Sequence, residues 1–181
     1  MVVRKNGKLE EVYADLVIAA DDTPSTIAKY LNLYRNDDTQ LATTFQYQMS
    51  MNEKEIDKVI GNSIEIYFGS SWVTGGYTWI FPKRNILAVG NGIWNNFVKK
   101  HKLYLKKLLD YFIKNHPVAK EKLRKAKILY SHGAPIGFSK VLKRHYDNEA
   151  LIIRDAEHFV SYATAEGFYY SMKSGKMATD F

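Results

Sequence analysis

The 181-residue chain has no cysteine. This excludes a disulfide, a thiolate metal site and a cysteine nucleophile, and it suits a cytoplasmic protein. No apolar run approaches the ~18 residues of a membrane span, and the opening MVVRKNGKLEEV does not read as a signal peptide. The five histidines are scattered without ligand spacing, so no metal site is expected. No Ser-His-Asp constellation stands out, there is no internal repeat, and no segment is of low complexity. Between Lys99 and Lys127 acids are scarce: eleven Lys/Arg face two carboxylates, Asp110 and Glu121, a local excess of nine. The whole-chain charge is +7, so the rest of the chain is near neutral. Such a patch can meet nucleic acid, an anionic membrane surface or an anionic substrate. A solvated charged face is the plainest reading. No nucleic-acid motif is present, which disfavours the first partner.

A hydrophobic fraction of 46% supplies a real core. Asn6–Gly7 between Val2–Val3 and Val12–Tyr13 signals a hairpin. Asp15 to Asp21 (DLVIAAD) reads as a strand of a buried parallel sheet, followed by a short helix in DDTPSTIAKYL. Thr43 to Ser50 alternates, with Phe45, Tyr47 and Met49 on one face. Ser63–Phe68, Gly75–Phe81 and Ile86–Val89 are further strands, and Asn52–Val59 a short polar helix. Gly90-Asn91-Gly92 reads as a loop. Phe97 to Lys114 reads as one amphipathic helix, stopped by Asn115 and Pro117, with a second basic helix over Val118–Lys127. Ile128–Tyr130 and Val141–Tyr146 are candidate strands. The fold class is therefore α+β: a largely antiparallel sheet with covering helices.

Two stretches carry chemistry. In TGGYTWIFPKRNILAVGNG, from Thr74 to Gly92, a strand puts Tyr77, Trp79 and Phe81 on one face. Aligned rings are most often a sheet face packed under a helix, here the basic one. They also offer a flat wall for an apolar ligand. In ALIIRDAEHFVSYATAEGFYYSMKSGK, from Ala150 to Lys176, a short apolar strand runs into a helix. Thr164 is the expected N-cap, with Ala165 first in the helix and Glu166 in its first turn. Gly167, Ser171, Ser174, Gly175 and Ala178 form a small-residue stripe that lets a helix lie close to a sheet or a ligand. A strand ending at a helix N-terminus can hold an anion, although a helix simply packed on a sheet explains the pattern as well.

The wording of both stretches resembles the geranylgeranyl reductase family, FAD enzymes of the p-hydroxybenzoate hydroxylase type. The second stretch follows the pattern GDAAGFVSPLTGEGIYYAMKSGKLA without gaps. It keeps Asp155, Ala156, Phe159, Val160, Ser161, Thr164, Glu166, Gly167 and most of the helix through Lys176. It departs at Arg154, Glu157, His158, Tyr162 and Ala165, where the pattern has Gly, Ala, Gly, Pro and Gly. DLVIAADD is similar to the family's Ala-Asp-Gly turn: Asp21 and Ser25 match, and Asp22 replaces the glycine. Archaeal members carry Pro-x-x-Tyr-x-Trp-x-Phe-Pro, then Gly-x-Gly seven or eight residues on. Tyr77, Trp79, Phe81, Pro82, Gly90 and Gly92 fit, and Thr74 stands for the first Pro. His132-Gly133-Ala134-Pro135 is a weaker match to a Gly-Pro turn.

The resemblance implies several things. Asp21, Asp155, Ala156, Thr164, Glu166 and Gly167 would contact FAD. Tyr77, Trp79, Phe81, Pro82, Gly90 and Gly92 would line the channel for an isoprenoid lipid or polyprenyl substrate. Residues 1–31 and 150–181 would be parts of a Rossmann-like FAD domain, and 32–149 the substrate domain. Reduced FAD would deliver hydride to an isoprenoid C=C; no proton donor stands out, although Tyr77 and His132 are candidates. The family's GxGxxG unit has no counterpart, since Asn95 stands where a third Gly would follow Gly90 and Gly92. The chain thus reads as a geranylgeranyl reductase-like partial chain, cytoplasmic and peripheral at the membrane. Three readings follow: a reductase completed by another chain, a remnant that keeps the lipid sheet without FAD, or a basic binding module. Asp22, Arg154, Glu157, His158 and Ala165 put side chains where glycine or alanine meets the cofactor, which favours the second over the first. Bare edges on the strands DLVIAAD and ALIIRDA predict a second chain or a homo-oligomer that completes the sheet.

Overall fold

Alternation of apolar residues along Leu41–Ser50 builds β4, the longest strand of the protein. The computed structural model describes residues 2–35, 40–138 and 142–180. They form two compact units, one of residues 36–137 and one of 1–35 with 138–181.

In the first unit β4 is flanked by β7 (Ile86–Trp94) and β8 (Lys127–His132), with β9 (Pro135–Gly137) beside its start. The sheet continues through β6 (Gly76–Lys83) to β5 (Glu65–Tyr67), all antiparallel, in the order β5-β6-β7-β4-β8. The helices are α2 (Glu53–Val59), capped by the Asn52 side chain, α3 (Asn95–His101), α4 (Leu105–Asn115) and α5 (Pro117–Leu123). The His116 ring caps α5, its Nδ1 accepting from the N–H groups of Val118 and Ala119. Side chains alternate across a strand, so one face presents Tyr47, Met49, Ile80, Leu87 and Val89. These pack with Leu109 and Phe112 of α4 and Leu123 of α5 into the main core. Tyr47 donates to Asp110 Oδ1 at 2.6 Å, and Asn91 Nδ2 donates to the Leu105 carbonyl at 2.9 Å.

Three expectations change here. The single helix over 97–114 is two, because Lys102 turns left-handed (φ 49°) and Leu103 N–H returns to the Val98 carbonyl. That break lets Phe97 and Val98 pack with Val73 and Ile93, while Leu105 and Leu109 turn onto the sheet. Gly90-Asn91-Gly92 is not a loop: β7 runs through it to Trp94, paired with β4 and β6. The aromatic residues of β6 are not packed under the basic helix either, since Ile80 and Val89 occupy that face.

The second unit holds the predicted hairpin, β1 (Val2–Lys5) with β2 (Lys8–Glu11), and a small sheet. In it β3 (Val17–Ala19) pairs parallel with β11 (Ala150–Ile152), and β11 antiparallel with β10 (Tyr146–Asp147). The parallel pairing is as expected, but β3 is short and half-exposed, with Ile18 44% exposed. The helix α1 (Thr26–Tyr30) is capped by Ser25, and Ala19, Ala28, Leu33, Leu142, Ile152 and Ala156 form the core. The units divide at 35/36 and 137/138, whereas the sequence suggests 31/32 and 149/150. Leu142 packs with Leu33, which draws the stretch before Ala150 into this unit. Of the candidate strand Val141–Tyr146, Val141 lies outside the described residues; Leu142 makes an isolated bridge to Tyr34 and Tyr146 belongs to β10.

The last helix, α6 (Phe168–Met177), starts three residues later than expected. Thr164 is not its N-cap; Gly167 is. Ala165 turns left-handed (φ 55°), its N–H donating to the Ser161 carbonyl, so 161–166 closes as a loop. The Glu166 carboxylate then accepts the Tyr169 N–H at 2.9 Å. In the small-residue stripe, Ser174 Oγ accepts the Arg154 N–H, whereas a Cβ added at Gly175 would point into open space.

Candidate functional site

On the sheet face away from α4, β6 presents Tyr77, Trp79 and Phe81 in a row. Ring centroids are 5.9 Å apart at each step, with Trp79 and Phe81 stacked at 23°. Ile66 lies opposite Trp79 on β5, and Phe68, just past that strand, lies 5.6 Å from Tyr77. On β7 the residues opposite are Gly92, Gly90 and Ala88. The missing side chains are required: a Cβ at Gly90 would come within 2.4 Å of the Trp79 ring and 2.6 Å of Gln46 Cβ. Trp79 therefore lies flat across the glycines, only 9% exposed. Its indole Nε1 is buried without a hydrogen-bond partner among the described residues. Native proteins leave few such groups.

The structure thus brings Tyr77, Trp79, Phe81, Gly90 and Gly92 together. Pro82 follows Phe81 on the strand but alternates to the other face. Beyond β7 the same face carries Thr44, Gln46 and Gln48 of β4, then Tyr130 and His132 of β8. Gln46 Nε2 and His132 Nε2 are 2.8 Å apart. Tyr77 and His132, the two proton-donor candidates, share this face but stand three strand spacings apart, about 14 Å. Burial pushes the Tyr77 phenol above its ordinary pKa, so it stays protonated. Sequence reasoning missed Ile66 and Phe68, whose place on the wall follows from pairing with β6.

The predicted cofactor residues fare differently. Asp21 is a helix cap: Oδ1 accepts from Ser25 Oγ and Oδ2 from Thr26 N–H, both at 2.7 Å. Ala156 is fully buried in the core. Thr164, Glu166 and Gly167 share the turn before α6, and a Cβ at Gly167 would come within 3.1 Å of Asp155 Oδ1. Burial raises the Asp155 pKa, and the nearby Asp22 charge adds to the effect. Beside these residues is a recess of about 60 Å³ lined by Ala20, Asp22, Arg154 and Asp155. A larger one, about 660 Å³, lies along α6 between Phe159, Tyr162, Tyr170 and Met177, and none of the six predicted residues lines it. Neither recess gathers the six predicted residues: Asp155 alone of them lines the smaller one.

Four of the departures from the family pattern share one property. Asp22, Arg154, His158 and Ala165 stand where the pattern has glycine, and all have positive φ, between 55° and 68°. The backbone keeps a glycine conformation under residues that carry a Cβ, at about 1 kcal/mol or more each. Replacing Ala165 with Gly is expected to raise stability by about 0.5–1 kcal/mol, after allowing for glycine's greater freedom when unfolded. A urea midpoint that stays put or falls would contradict the assignment.

His158 does not project toward a ligand. It is fully buried, edge-on to Tyr34 at 5.6 Å. Thr23 Oγ1 gives its proton to the Asp155 carbonyl at 2.6 Å, so at 3.3 Å it can only accept from His158 Nδ1–H. Nε2 is then a bare acceptor, buried with no partner among the described residues. Glu157 is buried beside it, with Oε1 3.4 Å from His145 Nδ1.

The fold is shared with flavin enzymes: a flavin-dependent brominase superposes with TM-score 0.75 over 99% of this chain and 45% of its own, at 13% identity. A structure of a geranylgeranyl bacteriochlorophyll reductase-like protein from Thermoplasma acidophilum matches better, with TM-score 0.81 and 27% identity over 98% of this chain and 43% of that one. The model of the geranylgeranyl reductase catalytic domain matches residues 40–135, more than half the chain. The chain belongs to the geranylgeranyl reductase family. It is 33% identical to the digeranylgeranylglycerophospholipid reductase of Methanocaldococcus jannaschii, over 98% of this chain and 43% of that protein. To the chloroplastic geranylgeranyl diphosphate reductase of Nicotiana tabacum it is 30% identical, over 96% of this chain and 35% of the relative. It thus spans less than half the length of these curated relatives. Among the described residues no helix is long and apolar enough to cross a membrane.

Proposed function

We propose that residues 36–137 hold the isoprenoid chain of a lipid or polyprenyl substrate along the wall of Tyr77, Trp79 and Phe81. The chain would be the substrate-holding part of a reductase that saturates isoprenoid C=C bonds. One observation carries the reading: the three rings stand on the face that the core does not use, spread flat because Gly90 and Gly92 make room. An isoprenoid tail has no hydrogen-bonding group, so apolar area alone must hold it, at about 25 cal/mol per Å² buried. A row of rings about 14 Å long on a rigid sheet suits such a tail. FAD would supply the hydride when bound. The residues here would not hold it alone, and the role of this chain would be to position the tail and exclude water. Further strands would pair along the outer edge of β3, which has no strand partner among the described residues.

The four strained glycine positions favour a second reading, a chain that binds isoprenoid without redox chemistry. Both readings predict the same wall. A geranylgeraniol carrying a diazirine, photolysed with the protein, is expected to label the peptides that hold Ile66–Tyr77 and Trp79–Gly92. Labelling confined to residues outside 36–137 would overturn the proposal.

A further inference from the structure

The end of the sheet where Tyr77 stands is built differently from the other end. There β6 begins at Gly76, β7 ends at Trp94 and β4 begins at Leu41. The helix α3 follows Trp94 directly and is pinned to this end. Phe97 lies so close to Gly75 that a Cβ there would fall 2.2 Å from its ring, and Thr43 Oγ1 donates to Asn95 Oδ1 at 2.6 Å. The α3–α4 corner that comes next reads KKHKLYLKKLL from Lys99 to Leu109, without an acid. Leu105 and Leu109 are buried, with Leu108 packed beside Leu105. Lys100, His101, Lys102, Lys106 and Lys107 are exposed, and Tyr104 is 69% exposed with Lys107 Nζ 5.0 Å from its ring centroid. Lys106 pairs with Asp110 at 2.8 Å. At the same end of the sheet Phe68 is 70% exposed and touches Tyr77.

We infer that the α3–α4 corner docks on the surface of an anionic lipid bilayer, with the Tyr77 end of the wall facing the membrane. The inference deepens the proposed function, because it rests on the wall receiving a lipid tail, and it adds the surface from which the tail comes. Lysines grouped on a helix corner gain about 1 kcal/mol each beside an anionic leaflet. Tyr104 and Phe68 supply the amphipathic and apolar side chains that settle at a headgroup boundary. A nucleic acid would use the lysines but has no call for an exposed Phe68 at the mouth of an apolar wall.

The test is co-sedimentation with vesicles that contain no isoprenoid: phosphatidylcholine alone, and phosphatidylcholine with 30% phosphatidylglycerol. Binding is expected with the anionic vesicles only, and it should weaken as salt rises. The double variant Lys100→Ala/Lys107→Ala removes two charges and is expected to bind on the order of 25-fold more weakly, at about fivefold per lysine. Circular dichroism and the urea midpoint should stay unchanged, since both side chains are solvent-exposed. Equal binding to both vesicle types, no binding to either, or an unaltered affinity in the double variant would overturn the inference. So would tighter binding to a single-stranded oligonucleotide than to the anionic vesicles. Because no isoprenoid is present, a failure here leaves the diazirine labelling result standing on its own.

Discussion

Replacing Glu157 with Gln is expected to make the stability of the second unit fall by about 3 kcal/mol between pH 6.5 and pH 4, where the parent protein falls far less. Burial raises the Glu157 carboxyl from 4.5 to about 7. Its raised folded-state pKa contributes stability that is complete below about pH 4.5 and is lost as pH rises toward 7. Burial lowers His158 from 6.5 to about 4, and the neighbouring His145 adds to the effect. Its contribution is complete above about pH 6.5 and is lost as pH falls through 4. Between pH 4.5 and 6.5 the two slopes are opposite and of similar size, so they cancel. Burial also lowers the His145 pKa, which acts in the same direction as His158. Removing the carboxyl leaves the histidines opposed only by Asp155, whose carboxyl burial raises to a smaller extent. The complementary variant, His158→Asn, leaves only His145 to oppose Glu157, and its stability should fall as pH rises from 4.5 to 7. Asparagine tolerates the positive φ at this position. All three tryptophans, Trp72, Trp79 and Trp94, lie within 36–137. Amide exchange at Ile152 and Ala156 is therefore the right measurement for this unit. Two flat profiles would show that the pair does not titrate as described.

Gly90→Val is expected to destabilise the first unit by about 2–3 kcal/mol and to abolish isoprenoid binding. The new side chain would start within 2.4 Å of the Trp79 ring and 2.6 Å of Gln46 Cβ, and neither group is a flexible tip. The ring must lift from the sheet, which breaks its stacking on Phe81 at 5.9 Å and the flatness of the wall. Tryptophan emission read through a urea titration gives the stability, and the same emission titrated with geranylgeraniol gives the binding. Full stability together with full binding would mean that the Gly90 position has no part in shaping the wall.

Much of this is legible in the local pattern of the sequence. The hairpin at Asn6–Gly7, the alternating strands and the alignment of Tyr77, Trp79 and Phe81 follow from local pattern, and local pattern survives folding. The side of the sheet on which those rings stand does not follow from period two. It depends on where α4 returns, which is decided by Leu109 and Phe112 finding Val89 and Ile80 across the chain. The break at Lys102 was hidden because the apolar stripe continues in phase on both sides of it. The late start of α6 was hidden because Thr164 and Glu166 make a good capping signal, while the closed 161–166 loop and the left-handed Ala165 move the cap to Gly167. The substitutions at Arg154, His158 and Ala165 were visible as departures from a family pattern. Their meaning, a glycine backbone kept under other side chains, needed the φ angles. That His158 turns into the core beside Glu157 could not be read from its neighbours in sequence.

The most direct test of the wall is the emission of the unaltered protein titrated with geranylgeraniol dispersed in a non-ionic detergent. A saturable change that disappears in Trp79→Phe is the predicted result, since Trp79 is the one tryptophan on the ring row and the Phe keeps an apolar ring there. An unchanged emission, or a change that persists in Trp79→Phe, would contradict the placement of the isoprenoid on this face.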